Sequence, residues 1–152
     1  MDFSTQLFFS LEGKWAFNRS INGSEIMRGT ALFHSVNECL PSYSYQEEGI
    51  YSAGPLSQLS FFREYFYCLN NKTIEVYFSF QKKKHNFFYA LAFSCPNLAN
   101  GVHHCVHDVY KATYVFLEKD IFLLQYDVRG PKKDFVIQTT FTRLHNNIEG
   151  GG

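Results

Sequence analysis

The chain has 152 residues, is formally neutral with 14 Lys plus Arg against 14 Asp plus Glu, and is rich in aromatics, with 17 Phe and 10 Tyr. That length suits one domain that buries its own core without disulfide or metal staples. The interspersed charges exclude the strongly basic face of a nucleic-acid-binding protein, and no apolar run reaches the length of a membrane span.

In chain order, Phe3 to Leu11 reads as a short N-terminal helix, with Ser4 as cap and Leu7, Phe8 and Leu11 as an apolar stripe that could plug one end of a barrel. Strands follow, at 13–21, 28–36, 42–51, 60–69, 73–81, 86–94, 103–117, 120–129 and 134–144. Alternation identifies them. Ile74, Val76, Phe78 and Phe80 oppose Glu75, Tyr77 and Ser79; Tyr110, Ala112, Tyr114 and Phe116 oppose Lys111, Thr113 and Val115. Turn chemistry separates the runs at Asn22-Gly23, Gly54-Pro55, Asn70-Asn71, Lys82 to His85, Pro96 to Gly101, Glu118 to Asp120 and Gly130 to Lys133. The expectation is an all-β fold: an antiparallel up-and-down β-barrel of about 8–10 strands. It occupies 1–149 as a single domain, and 150–152 is expected to be a disordered tail.

Cys39, Cys68, Cys95 and Cys105 form no C-x-x-C pair and read as free thiols of a reducing compartment. Met1 to Ser10 lacks the basic and apolar regions of a secretory leader, so a cytoplasmic location is expected, with leaderless secretion left open.

Gly13-Lys14-Trp15 at the start of the first strand resembles the G-x-W signature of lipocalins and the wider calycin superfamily. The resemblance implies that Trp15 closes one end of the barrel and that Arg143, from the last strand, packs across its ring, a cation–π contact worth about 0.5–2 kcal/mol. A longer ordered set resembles domain-of-unknown-function family 6314. It comprises Gly13-x-Trp15 with Arg19, Tyr45-x-Glu47-Glu48-Gly49, Arg63-Glu64-Tyr65-x-Tyr67, His103-x-Cys105-x-x-Asp108-x-Tyr110, and Gly130-Pro131-Lys132-Lys133-Asp134-Phe135. This resemblance implies a small β-barrel and assigns no activity. The chain departs from the family pattern in carrying Tyr89 in place of a histidine and Phe135 in place of a tyrosine.

The densest chemistry lies in His103-His104-Cys105-Val106-His107-Asp108. On one continuous strand His103, Cys105 and His107 share a face, a geometry for a transition metal if His34 or His85 joined them; hydrogen-bonded residues at a barrel rim are the alternative. His103, His104 or His107 could instead be an axial ligand for haem or a contact for a bilin. Asp108 and Tyr110 continue onto the face of Tyr114, and a buried carboxylate needs a partner, for which Arg19 and Arg63 are the candidates, with Glu47 or Glu48 as a further acid of the same cluster.

The expected ligand site therefore holds Arg19, Arg63, Tyr65, Tyr67, His104, Asp108, Tyr110 and Tyr114, and suits a partly aromatic or anionic small molecule. Salt bridges that only fix strand register are the competing reading. An enzyme of isomerase, cyclase or lyase type could use the same cavity with Asp108 or Glu48 as acid or base. No nucleophile elbow, P-loop or dinucleotide fingerprint is present, and no cofactor is favoured. The Lys82 to His85 and Lys132-Lys133 turns read as solvated tips, with anion steering or a phosphate or membrane contact as the alternative. A small-molecule partner, no nucleic acid, and a monomer or weak homodimer complete the expectations.

Overall fold

The computed structural model describes residues 2–55 and 57–145. Helix α1 spans Phe3–Ser10, and ten strands follow: β1 Gly13–Ile21, β2 Ser24–Val36, β3 Ser42–Gly54, β4 Ser57–Asn70, β5 Thr73–Phe80, β6 Lys83–Cys95, β7 Leu98–Cys105, β8 Asp108–Glu118, β9 Ile121–Gly130 and β10 Lys133–Arg143. Each pairs antiparallel with its sequence neighbour, and β10 returns to β1, so the sheet closes into an up-and-down barrel without edges. The tail at 150–152 lies outside the described residues.

Three expectations about elements are corrected. The run 103–117 is not one strand; β7 ends at Cys105 and β8 starts at Asp108, with Val106 at the turn at φ 55°. Conversely, Asn100 and Gly101, which carry turn chemistry, lie inside β7. Gly101 is required there because a Cβ would stand 2.5 Å from the Tyr89 ring and 3.0 Å from the Ala90 carbonyl. The helix cap is Asp2 rather than Ser4: its carboxylate accepts from the Thr5 amide at 3.0 Å and the Thr5 hydroxyl at 2.9 Å, and Ser4, itself buried, donates to it.

Alternation around the barrel fills its bore with rings. Trp15, Phe17, Phe33, Tyr43, Tyr45, Tyr67, Val76, Tyr89, Tyr114, Phe122 and Phe141 are all at most 3% exposed. Helix α1 closes one end, where Phe8 stacks on Tyr43 with ring centroids 4.5 Å apart and the Tyr43 hydroxyl donates to the Phe8 carbonyl at 2.9 Å. The same end is fastened by Trp15 and Arg143, direct register partners on β1 and β10. The Arg143 guanidinium lies 4.2 Å above the indole, donates to Asp120 at 2.7 Å and to the Glu12 carbonyl at 2.8 Å, and also reaches the Ser10 carbonyl. One side chain thereby ties the first strand, the last strand and the exit from the helix. Because successive strands run in opposite directions, the turns β1–β2, β3–β4, β5–β6, β7–β8 and β9–β10 all fall at the other end.

Candidate functional site

That other end carries the polar interior. From β1, Arg19 reaches over β2 to Glu47 on β3 in a two-point contact, Nη1 to Oε2 at 2.6 Å and Nη2 to Oε1 at 2.9 Å, while its Nε donates to Thr139 at 2.8 Å. The Tyr45 hydroxyl adds a third donor to Glu47 at 2.6 Å. Both charged residues are buried. Burial alone would penalise the Arg19 charge, but the hydrogen bonds and charge of Glu47 outweigh it and raise the guanidinium pKa above its usual value.

Beside this pair, four phenols form a chain: Tyr67 to Tyr114 at 2.8 Å, Tyr114 to Tyr89 at 2.6 Å and Tyr89 to Tyr126 at 2.8 Å. Burial is the main reason that all four sit above the usual phenol pKa, so each keeps its proton at neutral pH. Four hydroxyls carry four protons and the three bonds use three. The fourth has no partner within the chain, and both ends of the chain, Tyr67 and Tyr126, line a cavity of about 60 Å³. Arg19, Glu47, Arg63 and Tyr65 complete its polar wall, with Met27, Leu124 and Ile137 among its apolar contacts.

Arg63 is the exception among these charges. It is exposed, stands at the mouth beside the Tyr65 phenol, and has no ion pair among the described residues. With Arg19 and Glu47 neutralising each other, Arg63 leaves the pocket one positive charge in excess. Burial pushes the Tyr65 pKa up and the Arg63 charge opposes that shift. Over the mouth lies Phe88, set beside Tyr89 by irregular pairing of β5 with β6. Its ring is 4.4 Å from Phe78, 5.0 Å from His103 and 5.9 Å from Tyr65, so it packs among the aromatic residues on the β4 to β7 side of the opening.

The other expected site residues divide. Tyr67 and Tyr114 belong to the phenol chain, and Tyr110 stands at the rim 6.0 Å from His103. Asp108 points to the same rim, but its partner is Lys133 at 3.1 Å rather than an arginine. Lys133 also donates to the Tyr110 hydroxyl at 3.1 Å, and that bond first, then Asp108, raises its pKa to about 12. Gly130 is needed here because a Cβ would collide with the Asp108 carboxylate. His104 and Glu48 are corrections: both are exposed on the outer wall, so neither lines the bore. His107 lies in the β7–β8 turn, which removes it from the face of His103 and Cys105. No group of three or more His, Cys, Asp or Glu converges for a metal among the described residues, so His34 and His85 complete no ligand set there. His103 is instead bonded at Nδ1 to the Phe88 carbonyl at 3.0 Å. Of the two acids that the sequence offers as interior partners, Glu47 is buried and Glu48 is exposed, and parity from Tyr45 is the signal that separates them; sequence reasoning missed Tyr89 and Tyr126 as phenol-chain members.

A larger concavity, about 820 Å³, opens on the outside of β1 to β4. It forms where Gly29 and Gly49 pair and the strands pinch, since a Cβ on either would strike the opposite backbone. Its charged contacts, Arg28 and Glu48, are both exposed, so it presents no buried polar group to a ligand.

Residues 11–143 match the model of the Family of unknown function (DUF6314). The chain belongs to this family. Among solved structures, the S-type phycobiliprotein lyase CPES from Guillardia theta is similar at a TM-score of 0.70 over 94% of this chain and 93% of that one, at 10% sequence identity. The likeness is one of fold, a lipocalin-like, calycin-like barrel. Among curated proteins none matches significantly. The residues on which the family resemblance rests gather mainly at the open end, with Arg19, Glu47, Arg63, Tyr65, Tyr67, Asp108, Tyr110 and Lys133 on or beside its polar interior. Tyr89, at the position of the family's expected histidine, is the centre of the phenol chain. Phe135 pairs with Val128 near the same rim.

Proposed function

We propose that this DUF6314 protein binds a ring-bearing small molecule at the open end of its barrel, gripping an anionic or carbonyl oxygen of that molecule with Arg63 and the free phenolic proton. The observation that carries this reading is the excess of donors: the Arg63 guanidinium, with the Tyr65 phenol but no carboxylate as its partner among the described residues, lines one small cavity together with both ends of the phenol chain, while the buried carboxylate beside it, Glu47, already accepts three hydrogen bonds. At about 60 Å³ the cavity has room for a few waters or an acceptor group. The body of the ligand then lies in the mouth against Met27, Ile137 and Phe88, or takes the place of the Phe88 ring. A linear tetrapyrrole, of the kind that phycobiliproteins carry, belongs to this chemical class, since its conjugated body bears carboxylates. Acid–base catalysis by Asp108 or Glu48 lacks support, because the first is paired at the rim and the second faces solvent.

The test compares the fluorescent anion 1-anilinonaphthalene-8-sulfonate with its neutral parent N-phenyl-1-naphthylamine. The anion is expected to bind at least about tenfold more tightly, a difference worth about 1.4 kcal/mol. Arg63→Gln is expected to abolish that difference while leaving the melting temperature unchanged. Equal affinities for the two probes, or an anion preference that survives Arg63→Gln, contradict the reading.

A further inference from the structure

We infer that the half of the open rim built from β5 to β10 docks on an anionic lipid bilayer. Three hairpin tips meet there, because these strands are consecutive neighbours in the barrel and run alternately up and down. Two of the tips present an apolar side chain, Val106 in the β7–β8 turn and Phe80 at the end of β5. Val106 is 90% exposed and Phe80 is 61% exposed, and neither exposure is required by the core.

Val106 is also strained. It is a β-branched residue at φ 55°, a region such residues avoid and that Asn or Gly would occupy without difficulty. A turn that retains a bulky apolar side chain against its own backbone preference, and presents it fully to solvent, favours contact with an apolar phase over folding.

The exposed charges around these tips that have no ion-pair partner among the described residues are positive. Lys82 and Lys83 flank Phe80 and Lys132 caps the β9–β10 turn, all exposed and none ion-paired among the described residues. The acids on this half-rim are neutralised already, Asp108 by Lys133 and Asp134 by Arg129, while Glu64 accepts from Ser79 and the Lys82 amide. Unpaired lysines ringing protruding apolar tips complement a bilayer surface that is negative outside and apolar beneath. The ligand mouth opens at the same end, although the docking stands without any ligand.

The experiment is co-sedimentation of the full chain with vesicles of phosphatidylcholine alone, or of seven parts phosphatidylcholine to three of phosphatidylserine. Binding is expected only to the anionic vesicles, at least about tenfold above the neutral ones, and weaker as salt rises from roughly 0.1 to 0.5 M. Val106→Asn separates docking from folding, because it relieves the turn. It is expected to raise the melting temperature and lower vesicle binding at least about tenfold. Lys82→Ser/Lys83→Ser/Lys132→Ser is expected to abolish the preference for phosphatidylserine. Equal binding to both vesicle types, full binding by Val106→Asn, or capture of the rim by a single-stranded oligonucleotide that vesicles cannot displace would overturn the inference.

Discussion

Arg19 and Glu47 meet over β2, on the inner face of the barrel wall, as a fork on a fork, at 2.6 and 2.9 Å, with the Tyr45 hydroxyl closing the set. Such a pair is satisfied only while both members are present, since removing one strands a buried charge. Arg19→Met is therefore expected to cost about 3–5 kcal/mol in urea unfolding, and Glu47→Leu a similar amount. The double variant is expected to recover most of the loss, because apolar side chains of similar volume replace the pair without an orphaned charge. Additive losses would mean that the two side chains act independently.

The phenol chain predicts an alkaline limit to stability. Tyr67, Tyr89, Tyr114 and Tyr126 are held neutral chiefly by burial, above the value near 10.0 that an unfolded tyrosine shows. Above that pH the unfolded chain releases protons that the folded chain retains. Stability contributed by these groups is thus complete below pH 10 and declines as pH rises toward their folded values. Ultraviolet titration of phenolate is expected to show these tyrosines ionising together with the loss of near-ultraviolet circular dichroism. Their ionisation one by one in an intact fold would contradict the buried chain.

Phe88 packs on Phe78, His103 and Tyr65 beside the mouth. Phe88→Ala is expected to destabilise the barrel by about 3–5 kcal/mol and to open space beside the cavity. If ligand size is limited by this ring, the variant gains affinity for bulkier aromatic anions relative to wild type. Unchanged size selectivity would place the ligand elsewhere.

The barrel was legible because strict alternation in segments such as 73–80 and 134–143 admits one buried face. The β7–β8 hairpin was not, for two physical reasons. Gly101 signals a turn but serves a strand whose backbone the Tyr89 ring presses against, and Val106 signals a strand but sits in a turn at positive φ. That error carried into the site. On a continuous strand His104 shares a face with Asp108, whereas in the hairpin Cys105 and Asp108 are partners, and His104 turns outward. Arg19, Arg63, Tyr65 and Tyr67 could be placed on inward faces from their own strands. The phenol chain could not, since Tyr67, Tyr89, Tyr114 and Tyr126 come from four strands and meet only on closure.

The assignment of the grip to Arg63, and not to the buried Arg19, admits a direct measurement by following the two side-chain Nε–Hε resonances during titration with 1-anilinonaphthalene-8-sulfonate. Arg19 is held by Glu47 and Thr139 and is expected to stay in place, while the Arg63 resonance, free of any ion pair among the described residues, shifts with the bound fraction. A shift of Arg19 with Arg63 unmoved, or shifts confined to the outer saddle around Gly29 and Gly49, would contradict a ligand site at the open end.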